Sequence, residues 1–190
     1  MTEDSRMKKT AEDLLRLKRT LRTGWDYYGY GPPETVAAHS FGVAVLTLLL
    51  GRALRARGVS LNLERALIMA LIHEAGEARI GDLHLEARRW IGPETVEAGE
   101  RRAAAEVLQD DDMIALYREF EAAESLEARL VRAADKLELL LEARERARSP
   151  HEVVRTIFFT PESRRFFEEF PEVTRWIQEL EREMKPEASP

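Results

Sequence analysis

The chain has 190 residues, 44% of them hydrophobic and 34% charged, with a formal charge of −6 and no cysteine. This composition suits a folded protein with one substantial core rather than a disordered chain. The acidic balance argues against broad binding to a nucleic-acid polymer, and the missing thiols exclude disulfides and leave only His, Asp or Glu to hold a metal. The polar start, MTEDSRMKKTAED, has no apolar signal region. No uninterrupted apolar run approaches the roughly 20 residues of a membrane span. A cytoplasmic protein with no membrane partner is expected, as a single domain over residues 1–190.

Helical periodicity runs through the chain, and no two-residue alternation suggests a sheet. Residues 9–22 place Leu14, Leu15, Leu17 and Leu21 on one face of an N-terminal helix. The segment TGWDYYGYGPPE reads as a loop, with Pro33 and Glu34 opening a helix that runs to about Arg57. Ser60 or Asn62 can cap the next helix, which passes through His73 towards Ile80 before Gly81 and Asp82 end it. HLEARRWIGPE reads as a loop or short irregular helix. Helices over 94–108, from Met113 to about Ala123 and over 126–147 follow, the last capped by Ser125 and broken at Ser149-Pro150. A C-terminal helical extension spans about 151–184, with its last helix near 172–184. The expected fold class is all-α, a compact helical bundle.

Four ionisable residues fall where the pattern calls for apolar ones. His39 is in register with Val36, Val43, Leu46 and Leu50. His73 and Glu74 stand side by side in an apolar helix, and Asp135 lies between Val131 and Leu139. Each has an ordinary explanation: a hydrogen-bonded core histidine, a helix crossing a surface boundary, or an aspartate paired with Arg132 or Lys136. Together they fit one divalent cation, because buried charges pair with one another or bind metal. Imidazole with carboxylate suits Mn, Co, Fe or Zn, and a carboxylate-rich site also admits Mg. Glu77, one turn after His73, lies over the same patch.

These residues resemble the H…HD…D signature of the HD-domain metal-dependent phosphohydrolases. RLKRTLRTGWDYYG, PPETVAAHSFGVAVL, ALIHEAGEARIGDL and EARLVRAADKLELLLEA resemble the 5′-deoxynucleotidase branch, in the same order, from about residue 9 to 182. The resemblance implies an HD-domain helical bundle, a homodimer, and a phosphoric monoester hydrolase acting on nucleoside 5′-monophosphates through metal-activated water. It implies His39, His73, Glu74 and Asp135 as metal ligands, with Co, Mn, Mg or Zn as the divalent ion. It further implies catalytic roles for Glu77 and Asp82, and substrate contacts from Arg22, Trp25 and Asp82. Arg22 also reads as a cation on a helix C-terminus, Trp25 as a packing anchor, and Lys18 as a solvated lysine or a further phosphate contact. Two positions depart from the pattern: Glu74 stands where the family has aspartate, and His84 where it has proline. Two further readings stay open: the same site acting on another small phosphomonoester or signalling nucleotide, and a metal- and nucleotide-binding protein without turnover.

Overall fold

A computed structural model describes residues 2–146 and 166–183. Among these residues the fold is all-α, with no strand beyond one isolated bridge between Leu21 and Thr35. Helix α1 (Glu3–Leu14) starts earlier than the periodicity suggests, because Thr2 caps it by accepting from the Ser5 amide. It gives way to a 3-10 turn over Leu15–Lys18. The expected helix over 9–22 stops there because residues 20–22 pair with another segment. The Arg22 amide donates to the Glu34 carbonyl at 2.9 Å, and the Val36 amide to the Thr20 carbonyl at 2.8 Å. Arg22 is thereby held in extended backbone at the mouth of the bundle.

Part of the expected loop after Arg22 is a short helix, α2 (Thr23–Tyr27). Helix α3 (Val36–Ala56) begins two residues after Glu34, with Thr35 as its cap. Its length and mean hydropathy would suffice to cross a membrane, although His39, Arg52 and Arg55 interrupt its apolar run. That apolar character serves packing here: Val36, Val43, Leu46, Leu50 and Leu54 are buried. Asn62, rather than Ser60, caps α4 (Leu63–Ile72).

The helix expected to continue to Ile80 instead breaks at His73. Residues 73–76 form a turn, and one further helical turn, α5 (Glu77–Ile80), follows before Gly81 at φ +76°. Gly76 permits this path: a Cβ there would lie 2.8 Å from the Glu100 carbonyl oxygen. The chain continues through α6 (Leu85–Ile91), α7 (Pro93–Leu108), α8 (Asp111–Ala122), α9 (Leu126–Arg146) and α10 (Pro171–Glu183). Ser125 caps α9 by accepting from the Ala128 amide at 3.0 Å.

The core is built mainly where α3, α4 and α9 meet, with Met69, Leu130, Val131, Leu137 and Leu140 fully enclosed. Each such large apolar side chain contributes roughly 1.5–3 kcal/mol through burial. Helix α10 packs Val173, Ile177 and Leu180 into the same cluster. Phe167 is buried in it and Phe166 packs against it. The expected break at Ser149-Pro150 and the first part of the extension lie outside the described residues.

Candidate metal centre and active-site cleft

Three elements bring the ionisable residues together. His39 comes from the buried face of α3, His73 ends α4, and Asp135 projects from the middle of α9; their donor atoms lie within 4.8 Å of one another. His39 Nε2 is 3.2 Å from Asp135 Oδ1 and 3.4 Å from His73 Nε2. Glu74, in the turn after α4, places Oε1 3.7 Å from His39 Nε2 and 3.6 Å from His73 Nε2. Because the helix ends at His73, Glu74 reaches this point from a turn, not from the helical register assumed for the pair.

The remaining ring atoms define the chemistry. His39 Nδ1 lies 2.5 Å from Glu138 Oε2, and His73 Nδ1 lies 2.9 Å from the Ala70 carbonyl oxygen. Both partners accept hydrogen bonds, so each Nδ1 carries the proton and each Nε2 turns a lone pair into the centre. Two lone pairs and the Asp135 carboxylate then converge with no hydrogen between them. This donor set fits a divalent cation. Without one, a proton takes its place. Burial and the Arg22 charge favour neutral His39, but the carboxylates of Asp135 and Glu138 outweigh them and raise it to about 9. His73 is lowered, chiefly by burial. Burial opposes ionisation of Asp135, yet Lys136, His39 and His73 hold it well below the usual range.

Asp135 also reconciles its two sequence readings. Lys136 Nζ binds Oδ2 at 2.9 Å, while Oδ1 faces His39. Glu138 was not singled out from the sequence, although it lies one turn after Asp135 on the same face of α9. A carboxylate interrupting that apolar stripe was the available signal. Gly42 makes its room: a Cβ at Gly42 would sit 2.7 Å from Glu138 Oε1. Glu34 is the other unanticipated carboxylate. Its Oε1 accepts from Trp25 Nε1 at 3.0 Å and stands 3.9 Å from Arg22 Nε.

These groups open onto a cleft of about 810 Å³ whose walls include Arg22, Trp25, His73, Glu74, Glu77 and Asp82. Arg22 Nη1 lies 3.6 Å from Glu74 Oε1, beyond hydrogen-bonding range. Burial works against its charge, but Glu74, Asp135, Glu77 and Asp82 raise its pKa, so the guanidinium stays ionised. Glu77 is buried, and its Oε2 has no hydrogen-bond partner among the described residues. Burial, followed by the charges of Glu74 and Asp82, pushes its carboxyl well above the ordinary range. Asp82 Oδ2 accepts from the Thr23 amide at 2.5 Å and from Thr23 Oγ1 at 2.9 Å, which ties the loop after α5 to the start of α2.

Trp25 is both anchor and wall. It is buried, bonded to Glu34 and covered by the Arg146 guanidinium 4.8 Å from its ring, yet it lines the cleft. Lys18 is exposed and is not part of the cleft wall. His84 does line it, capping α6 and stacking on Tyr27.

Residues 14–174 match the model of a family described as HD domain. The protein named 5′-deoxynucleotidase hdd1 of Schizosaccharomyces pombe is 31% identical over 67% of this chain, and the match spans 65% of its own length. The human protein named 5′-deoxynucleotidase HDDC2 is 29% identical over 88% of this chain and 81% of its own. A solved structure described as a predicted metal-dependent phosphohydrolase from Magnetospirillum magnetotacticum superposes with a TM-score of 0.71 at 26% identity, covering 95% of this chain and 91% of the other.

Proposed function

The chain belongs to the HD-domain family, and on that premise we propose that it is a metal-dependent phosphoric monoester hydrolase that converts nucleoside 5′-monophosphates to nucleoside and phosphate. The observation that carries this reading is the convergence of two bare imidazole nitrogens and a carboxylate at the floor of a cleft that an ionised arginine also lines. The 5′-deoxynucleotidases of fission yeast and human, similar over most of this chain, support the substrate class.

In this reading His39, His73, Asp135 and Glu74 hold the ion. A bound divalent ion supplies Lewis acidity towards phosphoryl oxygens and makes water easier to ionise. The other roles belong to the protein. Arg22 presents a planar fork to the phosphate, a geometry that lysine does not offer. Its loose pairing with Glu74 and Glu34, at 3.6 and 3.9 Å, leaves those donors available to a ligand. Glu77 offers a buried carboxyl oxygen with no hydrogen-bond partner among the described residues, at which a proton is taken from water or given to the leaving 5′ oxygen. Asp82, fixed by Thr23, and Trp25 form the wall against which the nucleoside rests.

A homodimer and a cytoplasmic location complete the proposal. Phe41, Leu48 and Leu49 stand exposed on α3 and support a self-association surface, which sedimentation tests directly. The activity is tested by phosphate release from all common ribo- and deoxyribonucleoside monophosphates with Mn, Co, Mg and Zn. The expected result is metal-dependent release that Glu77→Gln and Asp135→Ala abolish. Absence of release from the whole panel would overturn the reading.

A further inference from the structure

Asp13 is a buried carboxylate for which the chemistry of the cleft gives no reason. It sits near the end of α1, 2% exposed, and neither it nor its partner Arg79 is part of the cleft wall. Arg79 Nη2 donates to Asp13 Oδ2 at 2.5 Å from 66 residues along the chain. Lys9 Nζ donates to the same oxygen at 3.1 Å from within α1. A carboxylate is almost never buried this far unless it is paired. The Arg79 bond, against burial and with help from Lys9, lowers its pKa to about 2, so the pair stays ionised at any working pH.

What Asp13 holds is α5. That element is a single helical turn, Glu77–Ile80, too short to be stable by itself. Its one buried apolar side chain is Ala78, while Ile80 is 41% exposed. Its position therefore depends on Arg79, whose Nε also donates to Glu106 Oε1 at 3.3 Å on α7. Glu106 is exposed and Asp13 is enclosed, so the bond to Asp13 is the one shielded from water. Helical residues two apart point about 200° from each other. Arg79 thus grips the back of the turn while Glu77 lines the cleft from its front.

We propose that Asp13 is a positioning residue for Glu77: through Arg79 it fixes α5, and with it the carboxyl at which the proton is exchanged. This rests on the proposed nucleotidase reading, in which Glu77 acts, and adds to it a residue outside the cleft. The turn carrying Glu74 is held separately, by buried Ala75 and by Gly76 against the Glu100 backbone, so metal binding does not depend on the link. Arg22 is held by its own pairing with the Glu34 carbonyl, so phosphate binding does not depend on it either. The link governs the placement of one carboxyl, where an error of about 1 Å costs about 100-fold in rate.

The test compares Asp13→Ala, Arg79→Met and the two combined with Thr10→Val and Lys9→Ala. Methionine keeps much of the packing of the arginine stem. Thr10→Val removes a different bond that docks α1, from Thr10 Oγ1 to the Leu108 carbonyl at 2.9 Å. Lys9→Ala removes the ion pair internal to α1, and both controls leave the Asp13–Arg79 link intact. Against nucleoside monophosphates, kcat is expected to fall about 100-fold in Asp13→Ala and Arg79→Met. It should fall no further in the combined variant, because one link is broken in each. KM and metal stoichiometry stay native, the controls keep native activity, and Asp13→Asn, which retains an oxygen for Arg79, recovers part of the loss. A native kcat in Asp13→Ala or Arg79→Met, an equal fall in Thr10→Val, or a loss carried by KM overturns the proposal. Amide hydrogen exchange over residues 77–81, measured on the same proteins, should quicken in the variants that break the link and in neither control. If the native protein hydrolyses no nucleotide the nucleotidase reading fails, and unchanged exchange at these amides separately overturns the link.

Discussion

His39 and His73 face each other through bare Nε2 atoms 3.4 Å apart, each with its Nδ1 proton already committed, to Glu138 and to the Ala70 carbonyl. Two such lone pairs repel unless a cation lies between them. The chain is expected to bind one divalent ion, and His39→Ala or His73→Ala to abolish stoichiometric binding as read by elemental analysis. Added Mn or Co should raise the melting temperature of the native protein only, since an ion at a hundred times its Kd stabilises the folded state by about 2.7 kcal/mol. An equal thermal shift in His39→Ala would place the ion elsewhere.

Glu138 lies behind His39, bonded to its Nδ1 at 2.5 Å, and in the proposed centre it supports the ion through that ring. Removing such an outer partner typically weakens metal binding by about 10–100-fold. Glu138→Ala should show that loss by titration calorimetry, and Glu138→Gln should recover part of it because its amide oxygen can still accept from Nδ1. Gly42→Ala, which crowds Glu138, should weaken binding in the same direction. Unchanged affinity in Glu138→Ala would assign the carboxylate to packing alone.

The raised pKa of His39 gives the metal-free protein a definite pH dependence. Its folded value of about 9 exceeds the ordinary 6.5, so its contribution to stability is complete below about 6.5 and is lost as pH rises through about 9. The raised carboxyl of Glu77 acts with the same sign, starting from its ordinary value of 4.5. Metal binding runs the other way, because the ion displaces the His39 proton and its affinity rises with pH. Melting temperatures with and without metal should therefore diverge between pH 6.5 and 9. Parallel curves across that window would refute the assignment of the proton to the metal centre.

Much of the fold was legible because burial imposes a 3.6-residue pattern: α3, α7 and α9 stand close to where their apolar residues and caps place them. The same pattern misled at residues 15–22 and 73–76. Leu21 fits the stripe of the first helix, but its neighbours' backbone groups pair with residues 34–36; no local propensity encodes that partner. Leu71 through Ile80 read as continuous helix because nothing marks Gly76 as a break until α7 is known to approach it. His39 could be placed because its register is wholly apolar on either side. Glu138 and Glu34 could not, since their importance lies in the atoms they reach, 99 and 9 residues away in the chain.

Gly76 makes a prediction of its own. A methyl group there would sit 2.8 Å from the Glu100 carbonyl oxygen and 3.1 Å from its Cα, both backbone atoms that cannot swing aside. Gly76→Ala is expected to cost about 1–3 kcal/mol, as overpacking does, and to displace the turn carrying Glu74 and Glu77. Denaturant unfolding should show the loss and calorimetry a weaker metal site. Gly99→Ala, on α7 with open space at its Cβ position, is the control for simple helix effects.

The last prediction concerns the methylene that separates Glu74 from aspartate. Within a rigid helix the longer arm would overshoot the centre. Glu74 instead leaves a turn, and its Oε1 stands at nearly equal distances from His73 Nε2, 3.6 Å, and His39 Nε2, 3.7 Å. The same oxygen lies 3.6 Å from Arg22 Nη1. The arm therefore spans a gap that the local backbone sets for it. Shortening it by a carbon, about 1.5 Å, draws the carboxylate away from the histidines and from the arginine together. Glu74→Asp is expected to weaken metal binding on the order of tenfold, like the loss of a supporting carboxylate, and to lower kcat/KM with it. Glu74→Ala should do more, leaving Arg22 without its nearest counter-charge in the cleft. Calorimetry and phosphate release on the three proteins decide the matter. Higher activity in Glu74→Asp than in the native chain would identify the methylene as a defect and Glu74 as the residue that had cost the protein its turnover.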